Sequence, residues 1–338
     1  MGGFILRRLG QLVLVLFAVT FLAFAALNLV GDPLRNFVGP LLAGVDEVAD
    51  CDAVAAGEMP DTFSTGSPKG DCEQILEARE EYNLDRSVPV RYVLWVGDLI
   101  TGDFGTSYVN QTEVTEVVKD RLPITIRLVI YAQIVALGIA IPWGVAAAYR
   151  ANRGFDRAST VFSFGLLAIP NFALGVILLY LFALRWEILP SRYDDSSWWA
   201  ELQSLILPAL TLGLGLAAAY QRLLRTDLIT TLQDDFVHMA KAKGMTDRHI
   251  MYRHALRPSL FSVITVFGVN TGALIGGALV VEQIFSIPGV GSELVEAVLR
   301  EDAPVVLALI AIIAVAFVLI NFFVDLLYGW LDPRVRTT

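Results

Sequence analysis

Six stretches of this sequence are long and apolar enough to cross a lipid bilayer, and that feature removes most folds from consideration. They cover residues 9–30, 124–149, 161–184, 205–220, 259–281 and 305–328. A helix rises about 1.5 Å per residue, so about 20 apolar residues span the roughly 30 Å of hydrocarbon. In that medium each backbone N–H and C=O must find its partner within the protein, which leaves helices as the fitting element. Composition agrees. Hydrophobic residues make up 55% of the chain and charged residues 17%, against roughly 45–50% and about 25% in soluble domains. The fourth stretch is the shortest, and its Gly213, Gly215 and Ala217 to Ala219 suit the interior of a bundle. The expected class is an all-α polytopic membrane protein with six transmembrane helices.

Orientation follows from where lysine and arginine fall. Arg7 and Arg8 precede the first span, and Arg150, Arg153 and Arg157 follow the second. Arg222, Arg225, Lys241, Lys243, Arg248, Arg253 and Arg257 lie between the fourth and fifth. The remaining connectors are poor in basic residues or acidic, as at Glu293, Glu296, Glu301 and Asp302. Both termini are therefore expected in the cytoplasm, with a long extracytoplasmic loop between the first two helices. The first span exceeds the usual apolar core of a cleaved leader, about 7–15 residues, and is expected to stay as an anchor. The chain divides into residues 1–30 (N-terminus and first span), 31–123 (outer loop) and 124–338 (membrane core with the remaining spans). The core includes a cytoplasmic loop at 221–257. The net charge of −9 arises mainly from the outer loop, in runs such as Asp46, Glu47, Asp50 and Asp52. It describes a solvated segment, not a preference for a basic ligand, and nothing points to nucleic acid.

Within the outer loop, residues 36–70 are rich in Gly, Asp, Ser and Pro and read as irregular. Helical spacing then begins. Ile75, Leu76, Tyr82 and Leu84 suggest one short helix, and Val90, Val93, Leu94, Val96 and Leu99 a second. Val114, Val117, Val118 and Leu122 form a further apolar stripe. Interfacial helices are the expected form, with a small outer domain as the alternative. The only cysteines, Cys51 and Cys72, lie in this loop. Outside the cytosol they can pair, closing about 20 residues for roughly 3 kcal/mol in the chain-entropy model. Two unpaired thiols are the alternative.

The segment 221–257 has a sharper pattern. Leu228, Leu232, Phe236, Met239, Ala240 and Lys243 fit one helix, which Gly244 can end in a left-handed cap. Thr246 is placed to cap a second helix over residues 247–256, and Pro258 to open the fifth span. In that span Gly268, Gly272 and Gly276 recur every fourth residue, forming a small-residue ridge for close helix packing. Its partner, another subunit or the same bundle, stays open. Pro142 and Pro170 are expected to kink the second and third spans.

Catalytic patterns are missing. No lysine follows a glycine, so the phosphate loop of an ATPase is not encoded, and neither H-E-x-x-H nor G-x-S-x-G occurs. The three histidines, His238, His249 and His254, all lie in the basic loop. Five residues separate the last two, about 140° around an α-helix, so no shared face and no metal site are expected. Ionisable residues are scarce inside the spans. Arg127, Glu282 and Asp325 sit near span ends, where snorkelling is available. The alternative function is a secondary transporter or channel for a small solute, and a proton- or sodium-coupled transporter normally needs charges near the midplane.

Several motifs are similar to a known family. They are the opening Phe4-Ile5-Leu6-Arg7-Arg8-Leu9 with Gly31-Asp32-Pro33, then Tyr82-Asn83-Leu84-Asp85 with Pro89, and Gly102-Asp103-Phe104-Gly105. They continue with Asp235-Phe236-Val237 through Gly244, Arg253-His254-Ala255-Leu256-Arg257, and Asp332-Pro333-Arg334. The most specific is Val281-Glu282-Gln283-Ile284-Phe285-Ser286-Ile287-Pro288-Gly289-Val290-Gly291. The chain resembles the first of the two permeases of bacterial dipeptide, oligopeptide and nickel ABC importers. The resemblance implies a subunit of the bacterial cytoplasmic membrane that moves peptides or related solutes by alternating access. It further implies a second homologous permease, two ATP-binding subunits and an extracytoplasmic substrate-binding protein as partners, in a lipid bilayer. ATP and magnesium would be bound by the ATPases, with no cofactor and no enzyme activity in this chain.

In such importers a loop with the pattern E-A-A-x3-G docks into the ATPase. Here His238-Met239-Ala240 stands in the E-A-A position and Gly244 matches. The resemblance implies docking through Phe236, His238, Met239, Ala240, Lys243, Gly244 and Asp247, with Phe236 and Ala240 as the apolar face. The competing reading is a helix resting on lipid headgroups. The ridge Gly268, Gly272 and Gly276 would belong to helix packing or the translocation path. Ile287, Pro288, Leu294 and Val298 would meet the binding protein or form the outer gate, on a short amphipathic helix within residues 287–300.

Overall fold

A computed structural model describes residues 2–30 and 86–331 of the chain. Cys51 and Cys72, the irregular stretch 36–70, the helix expected around Ile75 and the tail motif at Asp332 lie outside the described residues. Among those described the chain is helical, with one isolated antiparallel bridge between Thr106 and Glu113. In chain order the helices are α1 (Gly2–Val30), α2 (Val88–Thr101), α3 (Val114–Tyr149), α4 (Gly154–Ala168) and α5 (Asn171–Leu178). They continue with α6 (Trp198–Thr231), α7 (Asp235–Ala242), α8 (Asp247–His249) and α9 (Leu256–Gly277). Last come α10 (Leu279–Ile284), α11 (Val290–Leu299) and α12 (Ala303–Leu331). π-helical turns follow α5 at Leu179–Arg185 and join α8 to α9 at Ile250–Ala255.

Five of the described helices are long and apolar enough to cross a bilayer, and α4 with α5 make a sixth if counted as one span. That pair is bent by 99°. The expected kink at Pro170 is thus a break. Proline lacks the N–H that would carry the helix through, and Ile169 before it is extended at ψ 121°. By contrast α3 runs as one helix through both Pro123 and Pro142. Its first turns hold the stripe at Val114 and Val118, so this stripe is the N-terminal extension of the second span, not a separate interfacial helix. The expected helix over residues 90–99 is present as α2.

The described chain falls into two units. Among the described residues one is drawn from 2–12, 121–293 and 315–331, the other from 13–30, 86–120 and 294–314. In the first, α6 is the interior element, with 56% of its most apolar window buried. Small residues make this possible. A Cβ on Gly213 would stand 2.8 Å from the Ala132 carbonyl oxygen, so α3 and α6 approach backbone to backbone. Ala136, Ala140, Ala217, Tyr220, Leu224 and Val263 continue this core toward α9.

Polar pins fix the register of these helices. Gln133 donates from Nε2 to Thr271 Oγ1 at 2.7 Å and accepts from the Tyr220 hydroxyl at 3.2 Å, tying α3, α6 and α9 together. Ser163 donates to Gln221 at 2.7 Å, and Gln221 donates to Ser159 at 3.2 Å, tying α4 to α6. Asp156, buried in α4, takes a bidentate grip from Arg225 of α6 and the backbone N–H of Asn152 at 2.8 Å. Buried polar groups need such partners, and in return they exclude slipped packings.

The ridge on α9 finds its partner within the same bundle. Gly268 lies so close to Val324 that any Cβ there would overlap its side chain, and a Cβ on Gly272 would be 3.0 Å from the Phe317 ring. Gly276 meets nothing. Two of the three ridge positions therefore seat α12, and the third is open.

In the second unit Tyr92 of α2 is the centre. Phe17, Phe21 and Phe24 of α1 present their rings edge-on to it at 5.3–5.7 Å, each pair contributing about 0.5–1.5 kcal/mol beyond area burial. Its hydroxyl shares a 2.8 Å hydrogen bond with Thr20. Also in this unit, buried Asp302 accepts from the Ser107 hydroxyl and from the Tyr108 N–H, fixing the loop after Gly105.

Candidate functional site

The basic segment between α6 and α9 forms an elbow. α6 ends at Thr231 and α7 starts anew at Asp235, so the single helix expected from Leu228 to Lys243 is interrupted. The end of α7 follows the expected cap. Gly244 has φ +78°, where a side chain is strained. The Gly244 N–H bonds to Lys241 O at 2.9 Å and the Met245 N–H to Ala240 O at 3.2 Å, the paired closure of a Schellman motif. Thr246 then caps α8 by accepting from the His249 N–H at 3.4 Å.

This geometry sorts the docking candidates. Val237 and Ala240 face inward, packed with Ile250 and Leu232. Ala240 therefore seats the helix and is not part of its outer apolar face, contrary to the reading from sequence. Phe236 and Met239 point outward, 38% and 62% exposed, with His238 and Lys243 beside them. Met245, absent from the candidates, joins them at 37%. Asp247 spans the turn to Lys241 at 3.6 Å, an exposed pair of small energetic weight. The result is a short helix on a fixed apolar seat, presenting two large apolar side chains within a rim of mixed charge.

His249 and His254 depart from expectation. Their rings lie side by side, centroids 5.6 Å apart, because the intervening backbone is π-helical. The 140° separation holds only for an α-helix.

A second constellation occupies the segment after α9. Glu282 of α10 is fully buried, not snorkelled. Its Oε1 accepts from the Thr125 hydroxyl at 2.6 Å, and its Oε2 from the Ser292 N–H at 2.9 Å. Thr125 in turn accepts from the Val290 N–H at 2.9 Å. Burial pushes the carboxyl above its ordinary 4.5, while the Thr125 hydroxyl and the Ser292 and Gly291 N–H groups draw it back in part. The glycines of the Pro288-Gly289-Val290-Gly291 turn are there for space. A Cβ on Gly289 would overlap the Glu282 carboxylate, and one on Gly291 would come within 2.5 Å of Leu279 Cα. So the motif encodes a buried carboxylate stitched to a tight turn that launches α11. Snorkelling at a span end, the expectation for Glu282, is replaced by burial within the motif. An acid directly after an apolar span and ahead of Pro-Gly-x-Gly was the available signal.

Of the outer candidates, Ile287 is 1% exposed and belongs to the core, and Pro288 and Leu294 are half-buried. Val298 and Leu299 on α11 are 51% and 78% exposed. Ile287 is thus excluded from a surface contact in this conformation, and Leu299 joins Val298. Near the start of α6, Arg127 pairs with Glu201 at 2.9 Å, and Tyr193 donates to the same carboxylate at 2.9 Å. Burial and that carboxylate push the Tyr193 phenol up to about 12.

Comparison with known proteins agrees with this architecture. Residues 140–337 match the family described as "Binding-protein-dependent transport system inner membrane component". The chain is 33% identical over 343 residues to the oligopeptide transport system permease protein AppB of Bacillus subtilis, covering 99% of this chain and 100% of the relative. It is 33% identical over 337 residues to the glutathione transport system permease protein GsiC of Salmonella typhimurium, covering 99% of both. It is 32% identical over 343 residues to a probable peptide ABC transporter permease, y4tP, of Sinorhizobium fredii, covering 99% and 100%.

Proposed function

The chain belongs to the family of binding-protein-dependent transport system inner membrane components, and on that premise we propose how its parts serve an ATP-driven peptide importer. It is a permease subunit, a multi-pass protein of the cytoplasmic membrane. Relatives named for oligopeptide, peptide and glutathione transport support di- and oligopeptides or related small solutes as cargo. The family description and the ABC permease relatives imply a substrate-binding protein and an ATPase among the partners.

In the finer reading the basic connectors face the cytoplasm and the segment before α3 lies outside. The assembly comprises this chain, a second homologous permease, two ATP-binding subunits that hold ATP and magnesium, and the extracytoplasmic binding protein. The elbow docks an ATPase by setting Phe236 and Met239 into an apolar groove, the helix-in-groove mode, with Lys243 on the rim. ATP-driven closure then moves α7 and α8, and the continuous helix through the π-turn into α9 carries that motion across the bilayer. The bundle alternates between two states, and ligands bias it by their differential affinity for each.

One observation carries this reading: outward Phe236 and Met239 on a seat fixed by Val237, Ala240 and Ile250. The test is Phe236→Asp with Met239→Asp. The ATPases should be lost on co-purification while the permease inserts at normal yield. Co-purification at the wild-type level would overturn the docking role.

A further inference from the structure

The two histidines at the junction of elbow and span form a pair that neither docking nor helix packing requires. Their ring planes are tilted by 54° at a centroid separation of 5.6 Å. A π-turn bonds residue i+5 to residue i, so side chains five apart rise on one side. His249 is exposed and His254 half-exposed, so an ion in solution reaches both rings. We infer that His249 and His254 form a two-imidazole site for one divalent transition-metal ion, and that the bound ion holds the π-turn Ile250–Ala255 in place.

The dimensions fit. Nitrogen–metal bonds of about 2.1 Å, at tetrahedral angles, put two imidazole centroids roughly 5 Å apart. The observed separation closes to that by a small side-chain rotation. No group of three or more His, Cys, Asp or Glu suited to a metal occurs among the described residues, so water completes the coordination and the site is a modest binder. Imidazole ligands suit copper and zinc, and Cu2+ heads the divalent affinity order. Arg248 and Arg253, next in sequence to the pair, carry positive charge that opposes any cation, which keeps the site a modest binder.

A consequence follows for transport. The π-turn is the sole covalent link from α8 to α9. Conversion of this turn to α-helix would swing His254 about 140° away from His249, which an ion held by both rings opposes. Metal binding therefore acts as a brake on the elbow. The brake rests on the docking role proposed above, whereas the binding site rests on the ring geometry alone.

The test uses the assembled importer, titrated with Cu2+ and read by pulsed electron paramagnetic resonance. Wild type should bind one more Cu2+ per permease than His249→Ala or His254→Ala, with coupling to two imidazole nitrogens. Equal stoichiometry in all three, or coupling to one nitrogen, would overturn the site. In proteoliposomes Zn2+ should slow ATP-driven uptake several-fold in wild type and little in either variant. Uptake indifferent to Zn2+, with Cu2+ binding intact, would overturn the brake alone. Failure of the docking role shows separately, as ATPases retained by the Phe236 and Met239 variants.

Discussion

Glu282 and Thr125, 157 residues apart, meet in a buried hydrogen bond of 2.6 Å, and Thr125 accepts in turn from the Val290 N–H. One hydroxyl thereby joins the N-terminal part of α3 to the turn between α10 and α11. Thr125→Val should leave the Glu282 Oε1 and the Val290 N–H without that partner, each costing about 1–3 kcal/mol. Thermal unfolding of the purified importer should show a clear loss for Val and near wild-type behaviour for Thr125→Ser.

Burial holds the Glu282 carboxyl above its ordinary 4.5, so the folded state binds its proton more tightly than the unfolded chain does. Its stabilising contribution is full below pH 4.5 and declines as pH rises through the raised value. Glu282→Gln has no such proton to lose. The stability difference, wild type minus Glu282→Gln, should therefore be more favourable to wild type at pH 5 than at pH 8 in paired melts. A difference independent of pH would contradict the raised value.

Gly244→Val places a β-branched side chain at φ +78°, a conformation that costs L-residues roughly 1–2 kcal/mol. Nothing crowds the position, so the penalty comes from the backbone alone. The elbow should reorganise while the bundle stays inserted. Co-purification of ATPase should fall well below wild type, and Gly244→Asn, which tolerates this region better, should lose less.

The ion pair between Asp156 and Arg225 ties α4 to α6 with the acid almost wholly buried. Asp156→Ala should destabilise by roughly 3–5 kcal/mol, because Arg225 is left without its partner. Asp156→Leu with Arg225→Met, which removes both charges, should recover most of that loss in the same melting assay.

On α11, Val298→Asp with Leu299→Asp changes exposed positions and should leave folding within about 0.5 kcal/mol of wild type. If this face receives the binding protein, peptide uptake should fall at least tenfold at normal expression. Unchanged uptake would remove α11 from the docking surface.

Much of this protein was legible in one dimension. Apolar runs marked the spanning segments because hydrocarbon demands about 20 such residues whatever they pack against. Gly244 and Thr246 marked the elbow because caps are local chemistry, decided by a few neighbouring residues. The small residues of the fourth span announced an interior helix for a similar reason: only close packing repays their lack of side chain.

What the tertiary structure alone decided depends on what stands opposite. Ala240 and Ile287 are as apolar as their exposed neighbours, and only Ile250 beneath one and the core around the other turn them inward. Glu282 lies at the end of an apolar span, where snorkelling and burial are both open to it. Burial prevails because Thr125, distant in sequence, and two backbone N–H groups supply its hydrogen bonds. The two histidines came together through a π-turn, which no α-helical period in the sequence announces. Periodicity and capping are set by neighbours along the chain, whereas burial of a polar group requires partners that folding has to bring from far away.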